Sequence, residues 1–340
     1  MREKTIEKDF PLKDYNTFGV AASAKYFFEA HTVDDLLWII HQKEFEGNKL
    51  ILGGGSNMLL TQDFDGLVIK VSFKEKWIEK HDGDHTLVSV MAGENWHQFV
   101  LWTLDHGLGG LENLSLIPGN VGTAPVQNIG AYGSELKDHF HHLEALNLES
   151  GEFEIFRKEE CEFGYRHSHF KGRGKGKFII TRVFFSLTNQ NHKLNTKYGA
   201  IEAELQNMGA EADIHSISKA VCNIRRSKLP DPKVLGNSGS FFKNPIVPNS
   251  QFEKLVVEFP DMVAYPADEG HTKLAAGWLI EKAGWKGYRR GDAGVHDKQA
   301  LVLVNHGNAT GKEIETLSND IKDSIKRTFA VDLEEEINLI

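Results

Sequence analysis

Between residues 25 and 91 the apolar positions switch repeatedly between a period of two and a period near 3.6. Strands are predicted at KYFFEA, KLIL, LVIKV and TLVSVM, with a helix from Val33 to Phe45. That helix opens on a capping box, Thr32 with Asp35, and its Val33, Leu36, Leu37 and Ile40 form one apolar stripe. A second helix is predicted from Asn95 to His106, and after it the stretch Gly107 to Gly133 is rich in Gly, Pro and Asn and has no period. Loops of that length in compact domains usually carry function.

From His142 to Leu187 the period is again two, with a hairpin turn at Glu149-Ser150-Gly151 and a strong run, FIITRVFFSL, at 178–187. The short KGRGKGK at 171–177 reads as a flexible hairpin loop between two strands. Helical spacing returns at 215–229, a basic segment ending at Pro230, and at 271–284, HTKLAAGWLIEKAG. LVLVNHG is a predicted strand. The last helix, Gly311 to Phe329, has a capping box in Thr310 and Glu313 and a stripe of Ile314, Leu317, Ile321, Ile325 and Phe329.

The 340 residues suit two or three packed units, and 40% hydrophobic with 26% charged residues excludes disordered, collagen-like and coiled-coil classes. Thirty-two glycines against nine prolines point to backbone that needs positive φ or lies against a ligand. With 39 basic and 48 acidic residues the net charge is −9, which argues against a dominant nucleic-acid or anionic-membrane surface. Cys161 and Cys222 have no CxxC spacing, so no disulfide framework or cysteine zinc site is expected. The first residues, MREKTIEKDF, carry no apolar signal region, and no apolar run approaches the ~18 residues that span a bilayer. A cytoplasmic protein is expected.

Two stretches could cradle a phosphate. Gly53-Gly54-Gly55-Ser56-Asn57 follows a predicted strand, where free N–H groups could form a nest, although a simple tight strand connection would read the same way. The second stretch, Ile117-Pro118-Gly119-Asn120-Val121-Gly122-Thr123, runs on through Gln127-Asn128-Ile129-Gly130-Ala131-Tyr132 and adds amide side chains. Neither a Rossmann GxGxxG nor a Walker A loop fits. The histidine runs at 139–142 and 167–169 lack HExxH or cysteine ligand spacing, so no metal is expected.

These two stretches, with Asn16-Thr17-Phe18-Gly19, Phe163-Gly164-Tyr165-Arg166, Lys228-Leu229-Pro230-Asp231-Pro232-Lys233 and Gly239-Ser240-Phe241-Phe242-Lys243-Asn244-Pro245, resemble the UDP-N-acetylenolpyruvoylglucosamine reductase family, type I form. The resemblance covers nearly the whole chain, in order. It implies an α+β protein with the two-lobed FAD-binding fold of the vanillyl-alcohol oxidase type, lobes at 1–72 and 73–212. An α+β substrate-binding domain at 213–329 and a C-terminal strand, 330–340, would follow. FAD would be held non-covalently by Gly53, Gly54, Gly55, Ser56 and Asn57, and by Pro118, Gly119, Val121, Gly122, Thr123, Gln127, Asn128, Gly130, Ala131 and Tyr132.

By the same resemblance NADPH would donate electrons to the flavin and leave, and UDP-N-acetylglucosamine enolpyruvate would then be reduced to UDP-N-acetylmuramate for peptidoglycan synthesis. Arg166 would face the substrate carboxylate, Ser240 would give the proton, and Glu336 would act as a protonated donor. Glu334 and Glu335 are neighbours of the same type, and Ser238 is a local rival of Ser240. Tyr165, Tyr198, Arg225, Lys228 and Asn244 would contact the sugar nucleotide. A monomer with small-molecule partners, without nucleic acid or membrane, is expected. An oxidase or dehydrogenase of the same flavin superfamily would have no use for Arg166, Ser240 and Glu336 together; a non-catalytic nucleotide- or nucleic-acid-binding module should purify colourless.

Overall fold

The computed structural model describes residues 4–42, 45, 47–198 and 200–340. Their contacts divide the chain into two compact units. The first draws on Met1–Phe10, Ala24–Gly54 and Asp65–Ser227, the second on Pro11–Ser23, Gly55–Phe64 and Lys228–Ile340. Seven α-helices are used below: α1 (Val33–Ile40), α2 (Trp96–Asp105), α3 (Ala200–Met208), α4 (Ile214–Lys228), α5 (Asn249–Glu258), α6 (Ala276–Lys282) and α7 (Gly311–Phe329).

In the first unit a four-stranded sheet takes the order Glu7–Pro11, Ser23–Ala30, Phe64–Val71, Lys49–Leu52. The last two strands run parallel, with Lys49 opposite Leu67 and Leu52 opposite Lys70. Helix α1 forms because its capping box closes in both directions: Thr32 accepts from the Asp35 N–H, and Asp35 accepts from the Thr32 N–H, each at 3.1 Å. Leu36 and Ile39 then bury against Phe28, Leu67 and Ile69. The helix ends at Ile40 rather than Phe45. There His41 meets the Leu37 carbonyl at 2.6 Å and Gln42 donates to that of Trp38 at 2.9 Å, so side chains satisfy carbonyls that a further turn would have used. The expected path through Lys43 and Glu44 lies outside the described residues.

The second sheet of this unit is antiparallel, in the order Phe153–Arg157, Phe140–Asn147, Phe178–Thr188, His85–Met91, Lys76–Asp82. The hairpin at Glu149-Ser150-Gly151 is present: Gly151 takes φ +73°, and Asn147 accepts from the Glu149 and Ser150 N–H groups. KGRGKGK is not a hairpin loop, because the strands on either side of it both pair with Phe140–Asn147 and not with each other. Trp96 and Phe99 of α2 enter the core with Phe185, Val183 and Leu143, and Trp96 donates its indole N–H to the Leu114 carbonyl at 2.9 Å. Helix α3 had no clear signal, since its buried stripe is only Ile201 and Leu205. These pack on Ile217, Val221 and Ile224 of α4.

The second unit carries a four-stranded sheet in the order Gly236–Ser240, Val302–Asn305, Ala293–Val295, Arg289–Arg290, and a three-stranded sheet in the order Ile246–Pro248, His271–Leu274, Ala264–Pro266. The latter corrects the expected helix at 271–284. His271–Leu274 pairs with strands on both sides, and only from Ala276 does helix α6 begin. Tertiary pairing overrides helical spacing there. Helix α7 has the expected capping box, and its stripe packs on Leu279, Ile280, Val295 and Leu303. Segments early in the chain complete this core through Phe18, Val20 and Leu59. The first residue of α7 must be glycine, since a Cβ at Gly311 would strike the Leu60 carbonyl.

Candidate active site

In the first unit the sheet ends in bare backbone. Gly53 and Gly54 leave the strand Lys49–Leu52, and a Cβ on Gly54 would stand 2.8 Å from the Gly119 Cα, while one on Gly53 would run into the Thr123 methyl. The opposing loop is fixed along its length by main-chain bonds: Trp96 N–H to Gly119 O at 3.0 Å, Val121 N–H to Glu94 O at 2.8 Å and Gly122 N–H to Ala92 O at 2.9 Å. Two short 3₁₀ turns, Val121–Thr123 and Pro125–Gln127, carry it forward. Pro118 lies exposed before them.

The next stretch is strained. Asn128 and Tyr132 sit at φ +45° and +51°, joined by Leu116 at +59° and Arg166 at +51°. Non-glycine residues cluster in that region mainly where the surroundings over-determine them. Here the surroundings are buried amides. Asn128 donates to Glu135 Oε2 at 3.0 Å and to Gly164 O at 3.1 Å and accepts from the Lys137 N–H. Gly130–Ala131 pairs with Ser134–Glu135, and Arg166 donates to the Gly130 carbonyl at 2.9 Å with its guanidinium 5.5 Å from the Tyr165 ring.

Two of the expected nucleotide contacts, Arg225 and Tyr198, lie beside this loop. Arg225 donates its Nε–H to Leu116 O at 3.1 Å. Burial lowers its pKa, an effect opposed by the neighbouring Tyr132 phenol. Burial raises the pKa of that phenol in turn. Tyr198, half exposed, sets its ring edge to Tyr132 at 5.7 Å, and Lys228 is exposed at the end of α4.

The second unit arranges side chains instead. Gly55, at φ +63°, admits the Tyr15 carbonyl where a Cβ would be, and its own carbonyl accepts from the Thr17 N–H at 3.0 Å. Ser56 is half-buried, and Asn57 donates to the Glu336 carbonyl at 3.4 Å. On the strand Gly236–Ser240 the pairing breaks between Asn237 and Ser240, with Gly239 at φ +71°. This break separates two serines. Ser238 is buried and bonded to Met58 O and to Thr17 Oγ1, both at 3.1 Å, whereas the Ser240 hydroxyl makes no hydrogen bond among the described residues.

The three glutamates differ in burial. Glu334 pairs with Lys243 at 2.9 Å and Glu335 with Lys322 at 2.8 Å, both as ion pairs, while Glu336 is buried at 9% exposure with its N–H on Phe241 O. Asn244 turns its amide oxygen to the first N–H of α6, at 3.0 Å.

Comparison with known proteins agrees with this division. A family model described as FAD binding domain matches residues 24–156, and one described as UDP-N-acetylenolpyruvoylglucosamine reductase, C-terminal domain, matches residues 231–340. The reductase of that name from Flavobacterium johnsoniae is 55% identical over 98% of this chain and 99% of its own. The chain belongs to the UDP-N-acetylenolpyruvoylglucosamine reductase family. A Pseudomonas putida relative of the same name is 49% identical, covering 98% of both chains. The crystal structure of the Thermus caldophilus reductase is similar with a TM-score of 0.68 at 25% identity, over 99% of both chains.

As a member of this family the chain is an oxidoreductase of α+β fold with an FAD-binding domain. The residues fit that cofactor: where Gly54 approaches Gly119 two loops meet through bare main chain, with the Asn120 and Thr123 side chains beside them, and bare backbone is what a diphosphate cradle uses. Among the described residues no group of three or more His, Cys, Asp or Glu is disposed to hold a metal, and no helix is long and apolar enough to cross a membrane. Both cysteines are free and buried, and burial pushes the Cys161 thiol up to about 12.

Sequence reasoning passed over two residues. Lys70 donates to the Gly53 carbonyl, and burial lowers its pKa; its signal was a lysine inside the apolar run LVIKV. Asn113, 1% exposed, donates to the Tyr132 and Asn195 carbonyls. Nothing in LENLS marks it.

Proposed function

We propose that this reductase uses NADPH to convert UDP-N-acetylglucosamine enolpyruvate to UDP-N-acetylmuramate, for peptidoglycan precursors, in the cytoplasm and as a monomer without nucleic acid. Lobes at 1–72 and 73–212 serve the flavin, 213–329 the sugar nucleotide, and 330–340 brings Glu336. FAD held there would supply two-electron transfer between NADPH and the enolpyruvyl double bond. The protein must then stabilise negative charge developing on the neighbouring carbon and its carboxylate, and protonate that carbon.

Arg166 supplies a permanent planar cation to the carboxylate. Glu336, enclosed as it is, acts neutral and donates a hydrogen bond, because burial disfavours its charged form. Ser240 gives the proton: a hydroxyl is a weak acid, but a carbanionic enolate is a strong base, and proximity suffices. Tyr165, Tyr198, Arg225, Lys228 and Asn244 hold the sugar nucleotide. The observation that carries the reading is the contrast of serines, one bound on both sides and one uncommitted beside a break in the strand. The test is an absorption spectrum under nitrogen. A flavin band that bleaches with NADPH and returns with the sugar nucleotide supports it; return only with oxygen overturns the substrate.

A further inference from the structure

The segment from Asn189 to Tyr198, between the last long strand of the first unit and α3, has no regular structure, yet it bears Tyr198. It is fastened at intervals. Near its start His192 meets Thr188 Oγ1 at 2.7 Å, and at its end the Tyr198 carbonyl accepts from the Ile201 N–H at 2.8 Å.

Between those points Leu194 packs on the core, Thr196 donates to Glu202 at 3.3 Å, and a pair of asparagines ties the backbone down. Asn113 donates to the Asn195 carbonyl at 2.9 Å and to the Tyr132 carbonyl at 3.0 Å, and Asn195 donates to the Gly133 carbonyl at 2.9 Å. Asn113 itself cannot swing. It is 1% exposed, and its chain neighbours are stitched to α4 through Ser115 Oγ to Ser218 Oγ at 2.7 Å and Leu116 O to Arg225 Nε at 3.1 Å.

We propose that Asn113, with Asn195, is a positioning residue that clasps the Tyr198-bearing segment to the Tyr132–Gly133 turn and so sets the reach of Tyr198 to the sugar nucleotide. The proposal rests on the reading of Tyr198 as a nucleotide contact. Its chemistry needs donors: both carbonyls offer lone pairs, so only an amide or its equivalent can hold the two backbones together. Asn113 acts through the segment that bears Tyr198. Ordering the segment in advance removes an entropy penalty from substrate binding.

The test is a double-mutant cycle in the FAD-loaded full chain, reading KM for UDP-N-acetylglucosamine enolpyruvate beside the rate of flavin reduction by NADPH. Asn113→Asp keeps the shape and loses the donors. It should raise that KM roughly tenfold, the scale of two neutral hydrogen bonds, and leave flavin reduction within about twofold. Combined with Tyr198→Ala it should add nothing. Asn195→Ala, a milder change in a half-buried residue, should behave the same way at about threefold and stands in if Asn113→Asp does not fold. Effects that multiply with Tyr198→Ala, or a fall in flavin content with KM unchanged, overturn the clasp while leaving Tyr198 its role. A Tyr198→Ala variant with unaltered KM overturns the reading of Tyr198 and the clasp with it.

Discussion

The two units set out their candidate residues by opposite means. In the first, the candidates depend on atoms that are missing: no Cβ at Gly53 and Gly54, and a loop held in left-handed backbone at Asn128 and Tyr132 by buried amides. In the second, the candidates are side chains set apart from like neighbours: Ser240, whose hydroxyl makes no hydrogen bond among the described residues, beside a bonded Ser238, and the buried Glu336 beside two ion-paired glutamates. The first should therefore be broken by adding atoms, the second by removing them.

The largest effect expected is from Ser240→Ala. Loss of a general acid lowers its step by about 10² to 10⁴, so rapid-mixing absorbance should show normal bleaching by NADPH and a flavin that recovers that much more slowly with the sugar nucleotide. Ser238→Ala should leave recovery within a few-fold and lower stability by about 1 kcal/mol. Equal kinetic losses would erase the contrast between the serines.

Next comes Gly54→Ala. Overpacking of about 1–3 kcal/mol at backbone that cannot give way should weaken FAD retention roughly 10- to 100-fold, seen as a purified protein with little flavin absorbance. An alanine variant that keeps its flavin would mean that the loops are not in contact with the diphosphate.

Smaller again is the difference among the glutamates. If Glu336 works neutral, Glu336→Gln keeps a donor and should lose no more than about tenfold in kcat, with Glu336→Ala losing more. Glu335→Gln should affect thermal stability alone. Full activity appearing only well above the ordinary glutamate pKa would contradict a neutral Glu336.

The smallest is a pH effect confined to the first unit. His97 accepts from the Leu116 N–H through Nδ1 at 3.0 Å, and burial, helped by Arg226 and Arg225, lowers its pKa. A histidine held below its unfolded value contributes stability above about pH 6.5, and the contribution is lost as pH falls from there toward the folded pKa. Urea midpoints measured from pH 7 to pH 5 should fall, and His97→Gln should flatten that slope. An unchanged slope would remove His97 from the loop's support.

Much was legible in the chain because it depends on neighbours in sequence. The capping boxes at Thr32 and Thr310, the stripe of α7 and the turn after Asn147 are local chemistry, and each appears as read. What misread was non-local. His271–Leu274 has helical spacing but is taken by two strands, and α1 stops early because His41 and Gln42 turn back on its carbonyls. α3 shows too narrow a stripe to declare itself.

For the site, the sequence by itself determined the residue types: glycines where backbone must lie bare, and the serine, glutamate and arginine proposed for a reduction with proton transfer. It could not rank Ser240 against Ser238 or Glu336 against its neighbours, since identical side chains two residues apart differ only in their partners. Those partners, Met58, Thr17, Lys243 and Lys322, come from distant parts of the chain. Nor could it reveal Asn113, whose two hydrogen bonds join segments 19 and 82 positions away. A hydrogen bond or an ion pair commits a group only when folding brings the partner within about 3 Å, and that choice belongs to the tertiary structure.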